Sequence, residues 1–353
     1  MAYFHNYWSH FKIFIRNKPL VLPRVLKGYF KGVALRQKVL RTIDWSPTYK
    51  CNANCIMCSA RSLNNPNRKE LTLDERKIVW KQARKLGVIH TQFTGGEPMV
   101  MGIDWLCQAI KNLNPKSTLI SMTTNGLLLD ENKLDKLKEA GLDTIQVSLM
   151  SFDAEKHKRR MGIKQDNSSR LLELMFYAQK IGLSVCTNMV FGRSNINDLH
   201  ERMEFANKHD FFVALNPVSN PGTWTSDEYQ MLEESDIGWY NDLFKKYPYA
   251  RADTILNFRG KSGCPSGERI YITAYGDVMG CPHLHISFGN VLEEPLKSIW
   301  KRLCTLPLYG GTRDYCRWLF DKEFYNQYMK KYADIKQKPI SYKEVWPELA
   351  KSV

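Results

Sequence analysis

The sequence lacks any uninterrupted apolar run near the roughly 18 residues that a membrane-spanning helix needs, and no signal-peptide core stands at its start. Its nine cysteines are odd in number and too few for a disulfide framework in 353 residues. We therefore expect a cytoplasmic protein with reduced thiols, some of them metal ligands. The length allows one large domain together with a smaller one.

Acidic residues are absent from residues 1 to 43, which carry nine Lys and Arg. The remainder has 42 Lys and Arg against 36 Asp and Glu, so the body is only mildly basic despite a formal net charge of +15. Nucleic acid is therefore not an expected partner.

Residues 1–41 form a basic, aromatic-rich N-terminal arm, which Pro19 and Pro23 are expected to break into two short helical pieces. Two interpretations of this arm stay open. The first is a helical arm packed on the main domain with its basic side chains in solvent. The second is an amphipathic segment on an anionic membrane, which would place the protein peripherally at the inner membrane surface.

From residue 42 the chain alternates strand and helix patterns, which predicts a parallel α/β sheet with helices outside. The predicted strands are 42–49, 90–94, 118–123, 144–149, 184–190 and 212–216, and the predicted helices are 73–86, 103–113, 131–140, 168–181 and 196–209. Functional loops are expected at the carboxyl ends of the strands.

Turn residues near 218–225 indicate a domain boundary. We therefore predict one domain over residues 42–220 and a second over residues 221–353. A helix from 226 to about 247 and a Cys- and Gly-bearing region follow the boundary.

Three cysteines stand close together directly after the first predicted strand: Cys51, Cys55 and Cys58. Structural zinc and electron-transfer [4Fe-4S] sites normally take four protein ligands. Three thiols on one loop therefore suggest a cluster with one metal position open to a small molecule. The alternative is a zinc loop completed by a distant ligand such as His90.

The Cys-x3-Cys-x2-Cys loop resembles that of the radical S-adenosylmethionine (radical SAM) enzymes, and further family-like segments follow in order at the ends of the next three strands. These are Gly95-Gly96-Glu97-Pro98, Thr123-Thr124-Asn125-Gly126 and Ser148. The resemblance covers about residues 42–217 and implies a partial (β/α)6 TIM-like barrel. It also implies a [4Fe-4S] cluster on the three cysteines.

The same resemblance implies a binding site for S-adenosylmethionine. Gly95, Gly96 and Glu97 would receive its amino group, and Asn125 and Ser148 would lie near its nucleoside. Met57 takes the place of a common aromatic residue beside adenine. Arg160, or its neighbour Arg159, would hold the carboxylate.

A second group of cysteines follows in the C-terminal region, where Cys264, Gly276 and Cys281 are followed by Cys316. This pattern resembles the SPASM and twitch extensions and implies one auxiliary Fe-S cluster behind a hairpin of residues 271–274 and 278–280. The fourth ligand stays open among Cys304, His283, His285 and a free position. A zinc ribbon is the alternative. Cys107 and Cys186 are expected to be buried thiols.

These resemblances imply an oxidoreductase that forms a 5'-deoxyadenosyl radical and acts on a small or lipid-linked polar metabolite. The expected electron donor is flavodoxin or ferredoxin. Peptide modification is the alternative within the family, although residues 1–41 are too short for a separate peptide-binding domain. From another class, the chain could be a non-catalytic zinc protein whose basic arm binds nucleic acid.

Overall fold

The computed structural model describes residues 18–218, 232–247, 249–252, 264–282, 284–305, 316, 321–328, 330–332, 335 and 337–347. Its strands are β1 (Thr42–Trp45), β2 (His90–Phe93), β3 (Leu119–Thr124), β4 (Thr144–Ser148), β5 (Ser184–Phe191), β6 (Phe212–Pro217), β7 (Ala250–Ala252), β8 (Arg269–Ile272), β9 (Asp277–Met279), β10 (Ile286–Asn290) and β11 (Ile340–Ser341). The six strands predicted in the first domain are confirmed, although β1 ends at Trp45.

The helices are α1 (Leu22–Val33), α2 (Leu73–Leu86), α3 (Ile103–Asn112), α4 (Glu131–Ala140), α5 (Ala154–Met161), α6 (Ser168–Lys180), α7 (Ile196–Lys208), α8 (Ile237–Lys246), α9 (Leu296–Thr305), α10 (Lys322–Tyr328) and α11 (Tyr342–Val345). A reciprocal capping box between Thr72 and Glu75 starts α2, and Gly141, with φ +113°, ends α4. The sequence did not reveal α5. Residues 226–231 of the predicted helix lie outside the described residues, and α8 begins only at Ile237.

All strands belong to one sheet of eleven strands, in the order β11-β10-β9-β8-β1-β2-β3-β4-β5-β6-β7. Strands β1 to β7 are parallel, and β8 pairs parallel with the other side of β1. The open sheet confirms the partial barrel. It also shows something that the sequence did not predict, because the C-terminal hairpin continues the barrel sheet through β8.

Successive residues of the barrel strands face opposite sides of the sheet. On one side Ile43, Phe93, Ile120 and Val147 join the main apolar core with the helices. The other, inner side is polar. The cysteine loop follows β1 at the carboxyl ends of the strands, at the edge of this polar wall.

The described part of the N-terminal arm begins at Lys18, so the predicted division of the arm into two helical pieces is only partly covered by the described residues. Pro19 starts a short 3-10 turn and Pro23 lies in the first turn of α1, so both prolines stand where a helix begins and do not interrupt one. Residues 1–17 lie outside the described residues. Among the described residues, no helix is long and apolar enough to cross a membrane.

Candidate active site

The cysteine loop follows β1 at the carboxyl end of the sheet and rests on the end of α5. The Asn54 and Ile56 amides donate to the Met161 and Arg160 carbonyls at 3.1 Å each. Gly162, with φ +58°, allows this approach because a Cβ atom there would lie 2.1 Å from the Asn54 carbonyl oxygen. Helix α5, which the sequence analysis missed, therefore supports the loop.

Burial and neighbouring thiols raise the pKa values of Cys51 and Cys55. Cys51 is exposed, and Cys55 and Cys58 are half-buried. Burial, together with Cys58 and Cys51, raises the pKa of Cys55 to about 12, and burial raises that of Cys51 as well. Loop amides lower the pKa values of Cys51 and Cys55, but burial dominates, so these two thiols need a positive partner to ionise.

The Gly95-Gly96-Glu97 turn holds the chain just before the cysteine loop. The Gly96 and Glu97 amides donate to the Thr48 and Lys50 carbonyls at 2.9 Å each. A Cβ atom on Gly96 would lie 2.4 Å from the Lys50 carbonyl oxygen, and one on Gly95 would lie 1.8 Å from the Ser46 hydroxyl. Both glycines are therefore required by the protein backbone at this crossing, whatever ligand they also approach.

Glu97 is 1% exposed, and both of its carboxylate oxygens accept hydrogen bonds from the protein. Oε1 accepts from the Met99 amide at 3.0 Å and the Thr124 hydroxyl at 2.7 Å, while Oε2 accepts from the Asn125 amide at 2.7 Å. Burial raises the pKa of Glu97, and these donors oppose the rise. The carboxylate thus ties the ends of β2 and β3 together, and an ammonium group would have to share it.

Asn125 lies directly beside the cysteine loop. Its side-chain nitrogen is 2.8 Å from the Asn52 amide oxygen and 3.8 Å from the Cys51 sulfur. Its carbonyl oxygen accepts from Asn167 at 3.3 Å, and the Asn167 amide oxygen contacts His157 Nε2 at 2.9 Å. His157, which the sequence analysis did not select, therefore supports the predicted nucleoside site from behind.

His157 is fully buried, and its Nδ1 accepts from the Met150 amide at 3.1 Å. Because that amide can only donate, Nε2 carries the imidazole proton and donates to Asn167. Burial lowers the pKa of His157, in agreement with a neutral ring. No sequence motif marked this residue.

An apolar cluster stands beside the cysteine loop and consists of Met57, Met150, Met161 and Val218. Met57 thus packs against other buried methionines, and its unbranched thioether side chain suits packing against a planar ring. Ser148 ends β4 on the inner side of the sheet, half-buried and in register with Asn188. The placement of Met57 and Ser148 is compatible with their predicted roles at S-adenosylmethionine.

Arg160 is oriented differently from its prediction. Its Nη1 donates to the Asp198 carboxylate at 2.6 Å and to the Met150 carbonyl at 2.9 Å, and the residue is buried. A guanidinium already neutralised by Asp198 is a poor site for a ligand carboxylate. The role predicted for Arg160 is at odds with this pairing, which instead fixes α5 and the cysteine loop.

In the C-terminal region the segments that carry Cys264, Cys281 and Cys304 come together. The Ser266 hydroxyl donates to the Gly280 carbonyl at 2.8 Å, and a Cβ atom on Gly267 would lie 3.2 Å from the Cys304 sulfur. All three cysteines, and Cys316, are half-buried. Burial raises the pKa of Cys304. Cys304 therefore lies close to the turn that follows Cys264, although it is part of α9.

Three histidines were considered as metal ligands: His283 and His285 for the auxiliary cluster, and His90 for the first cysteine loop. His285 has its ring nitrogens 3.1 Å from the Ser62 hydroxyl and 2.9 Å from the Pro282 carbonyl oxygen, so both are already in use. His283 lies outside the described residues. His90 begins β2, at the opposite end of the sheet from the cysteine loop, and contacts Ser121 at 2.9 Å. The zinc loop completed by His90 is therefore wrong.

Across the part of the chain that the structure describes, no three His, Cys, Asp or Glu side chains are arranged to hold a metal ion together. The ligand sets therefore stay predictions. The donor chemistry of the first loop does fit an iron-sulfur cluster. Burial raises the pKa of Cys51 and Cys55, with Cys58 adding to the rise, and bound iron would offset the repulsion between thiolates. Cys186 is buried as expected, whereas Cys107 is half-buried.

Family models match two parts of the chain. The Radical SAM superfamily model matches residues 45–206, and a SPASM iron-sulfur cluster-binding domain matches residues 264–307. The chain belongs to the radical SAM superfamily of enzymes and carries a SPASM domain. A radical SAM domain holds a [4Fe-4S] cluster and S-adenosylmethionine, and a SPASM domain holds an auxiliary Fe-S cluster. The alternative of a non-catalytic zinc protein is therefore wrong.

Relatives differ in how much of their length the chain covers. A probable GTP 3',8-cyclase of Methanococcus aeolicus is 34% identical over 48% of this chain, and the alignment spans only 58% of that protein. A GTP 3',8-cyclase of Clostridium perfringens is 27% identical over 75% of this chain and 87% of its own. Streptococcus suis SuiB bound to precursor peptide SuiA has the same fold, with a TM-score of 0.60, 16% identity and coverage of 78% of this chain and 68% of SuiB.

Proposed function

We propose that the chain is a radical SAM oxidoreductase that removes a hydrogen atom from a small or lipid-linked polar metabolite, at a site facing the inner wall of the barrel. When bound, the first cluster and S-adenosylmethionine supply a 5'-deoxyadenosyl radical, and the auxiliary cluster supplies an electron acceptor or a substrate ligand. Flavodoxin or ferredoxin would provide the initiating electron. We also propose a peripheral position at an anionic membrane surface.

The polar inner wall carries this proposal. Gln92 donates to the Thr123 hydroxyl at 2.7 Å and to the Gln146 amide oxygen at 3.2 Å, and these side chains come from three neighbouring strands. Asn216 donates to Asn188 across β5 and β6. All five side chains are partly accessible. Neutral amides and hydroxyls both donate and accept, so this wall matches an uncharged substrate with several hydroxyl or amide groups.

One ion pair on the described inner wall is formed by Arg269 and Asp44. Arg269 on β8 donates to the Asp44 carboxylate on β1 at 2.6 Å, so its positive charge is not available to a phosphate. A nucleoside triphosphate needs several cations or a metal around its phosphates. We therefore favour a neutral polar substrate over the GTP that the names of the cyclase relatives specify.

The residues around the cysteine loop would orient the reactants. The methionine cluster around Met57 would exclude water from one side of the nucleoside, while Asn125 and Ser148 would hold its polar groups. The Ser62–His285 contact places the SPASM hairpin beside the segment that follows the cysteine loop. Substrate bound against the inner wall at the carboxyl ends of the strands would lie beside the cysteine loop.

The test uses anaerobically reconstituted full-length protein with dithionite and S-adenosylmethionine. We expect 5'-deoxyadenosine to form, and soluble hexoses and polyols such as glucose and inositol to stimulate it more than GTP does. Perdeuterated substrate should transfer deuterium into 5'-deoxyadenosine. No cleavage at full iron occupancy would refute the enzyme assignment, and selective stimulation by GTP would refute the substrate class.

Peptide modification is the second candidate, since SuiB, a protein solved with a precursor peptide, shares the fold. That similarity at 16% identity concerns the fold alone. Stimulation by a peptide, with none by polyols, would favour this candidate. The same assay therefore separates the two.

A further inference from the structure

Helix α1 packs on the protein with the side opposite to its apolar face. Gly28 and Gly32 are its buried residues. Leu26 and Phe30 are each 59% exposed and Val33 is 40% exposed. These three residues are spaced i, i+4 and i+7 and therefore lie on one side of the helix. A surface helix normally turns such a stripe toward the core, so this orientation is reversed.

Basic side chains hold the arm in this orientation. Lys18 is buried, and its ammonium donates to Asp143 at 2.5 Å, to the Thr118 carbonyl at 2.7 Å and to the Gly141 carbonyl at 3.0 Å. The expectation that the arm's basic residues are all solvated is therefore wrong. Since polar contacts anchor the arm, its apolar side chains are not needed against the protein.

Arg24 adds a second anchor within α1. Its guanidinium donates to the carbonyls of Ser117 at 3.2 Å, Arg84 at 3.3 Å and Val88. These carbonyls precede β2 and β3, so α1 lies at the amino-terminal end of the sheet. The two glycines let the helix backbone approach this end closely.

The border of the apolar stripe is basic. Lys27 and Lys31 each follow a residue of the stripe by one position, about 100° around the helix, and the first 43 residues contain no acid. The surface therefore combines an apolar centre with a cationic edge. That combination matches an anionic lipid bilayer, whose headgroups attract lysine and whose acyl region accepts leucine and phenylalanine.

We propose that the outward side of α1, formed by Leu26, Phe30 and Val33 with Lys27 and Lys31, docks on an anionic lipid bilayer. A second copy of the chain is disfavoured because it would oppose one cationic edge to another. Residues 1–17 are also disfavoured as a cover, since they carry Lys12 and Arg16 and no acid.

This inference rests on the proposed membrane location and refines the proposed substrate. The cysteine loop is at the carboxyl ends of the strands, whereas α1 lies at their amino-terminal ends. A protein docked through α1 keeps the opening of its site in water. Of the two proposed substrate classes, the geometry therefore favours a water-soluble metabolite over a lipid-linked one.

The test measures sedimentation of the full-length protein with vesicles of phosphatidylcholine containing one quarter phosphatidylglycerol, and with vesicles of phosphatidylcholine alone. We expect binding only to the anionic vesicles, and the double variant Leu26→Glu/Phe30→Glu should weaken it by about tenfold or more. Ile78→Glu is the matched control because Ile78, on α2, is 58% exposed. It should bind like the parent.

Thermal unfolding of both variants must match the parent, which excludes misfolding as the cause of weaker binding. No binding to anionic vesicles, or equal loss in the Ile78→Glu protein, would overturn the proposal. A dimer in light scattering that only the double variant dissociates would instead assign the surface to a second copy. Cleavage of S-adenosylmethionine by the double variant is measured separately, so failure of docking and failure of the proposed reaction are distinguishable.

Discussion

The Ser62 hydroxyl lies 3.1 Å from His285 Nδ1, which joins the segment after the cysteine loop to the residue that directly precedes β10. A second contact runs in parallel, where the Tyr275 hydroxyl accepts from the Asn65 amide at 2.8 Å. The ion pair between Arg68 and Asp277, at 2.6 Å, adds a third. Three direct contacts therefore hold the radical SAM domain and the SPASM region together close to both cysteine groups.

Replacing His285 tests this connection. His285→Ala removes a buried ring and leaves the half-buried Ser62 hydroxyl and Pro282 carbonyl without their partner, and we expect a loss of about 1–3 kcal/mol in the free energy of unfolding. Urea denaturation under anaerobic conditions measures it. If His285 were a ligand of the auxiliary cluster, the variant would also lose iron. We expect its iron content to equal that of the parent.

Glu97→Gln tests the tie between β2 and β3. A neutral amide can accept from only one of the two sides and replaces charge-assisted hydrogen bonds, so we expect about 1.5–3 kcal/mol less stability. Binding of S-adenosylmethionine, followed by equilibrium dialysis, should weaken because Asn125 loses its anchor. Unchanged binding and stability would show that the carboxylate charge is not required.

Gly96→Ala tests the crossing of the Gly-Gly-Glu turn over the backbone before Cys51. The added methyl group would lie 2.4 Å from the Lys50 carbonyl oxygen, so the turn must move away, at about 1–3 kcal/mol. Cleavage of S-adenosylmethionine should fall with it. Gly238→Ala, at a position in α8 with open space, is the matched control and should be neutral or stabilising by at most about 1 kcal/mol.

The buried, neutral His157 predicts a pH dependence of stability. Its pKa in the folded protein is lowered from the ordinary 6.5, so protonation favours the unfolded chain. Its contribution is fully present above pH 6.5 and is lost as the pH falls toward the folded-state pKa. Melting temperatures between pH 8 and 5 should decline more steeply for the parent than for His157→Gln. Parallel profiles would contradict this account.

The auxiliary cysteines are tested by iron and sulfide analysis. Two [4Fe-4S] clusters would give about eight iron atoms per chain, and Cys264→Ala should lower this number by about one cluster. Cys107→Ala is the control, since Cys107 is a half-buried thiol on α3 that contacts the Lys136 carbonyl. An equal loss in both variants would mean that general instability, and not ligand removal, lowers the iron content.

The sequence by itself determined the order of strands and helices, because the spacing of apolar residues and the residues at helix ends are local properties of the chain. The capping box at Thr72 and the stop at Gly141 fix helix ends within a few residues, and the cysteine spacing with its Gly-Gly-Glu segment identified the superfamily. What these residues contact was not determined locally. Glu97 proved to accept hydrogen bonds from the protein itself, and the two glycines proved to lie in close approach to Ser46 and Lys50.

Only the tertiary structure decided the rest. The pairing of Arg160 with Asp198, the support of Asn125 through His157, and the parallel pairing of β8 with β1 join residues far apart in the chain. The orientation of α1 was also undecided in the sequence. Its amphipathic pattern shows that one side of the helix is apolar and the other is not. Which side faces the protein depends on the carbonyls and the carboxylate that accept hydrogen bonds from Arg24 and Lys18. Those partners are about 60 to 125 residues away and meet the arm only in the folded chain.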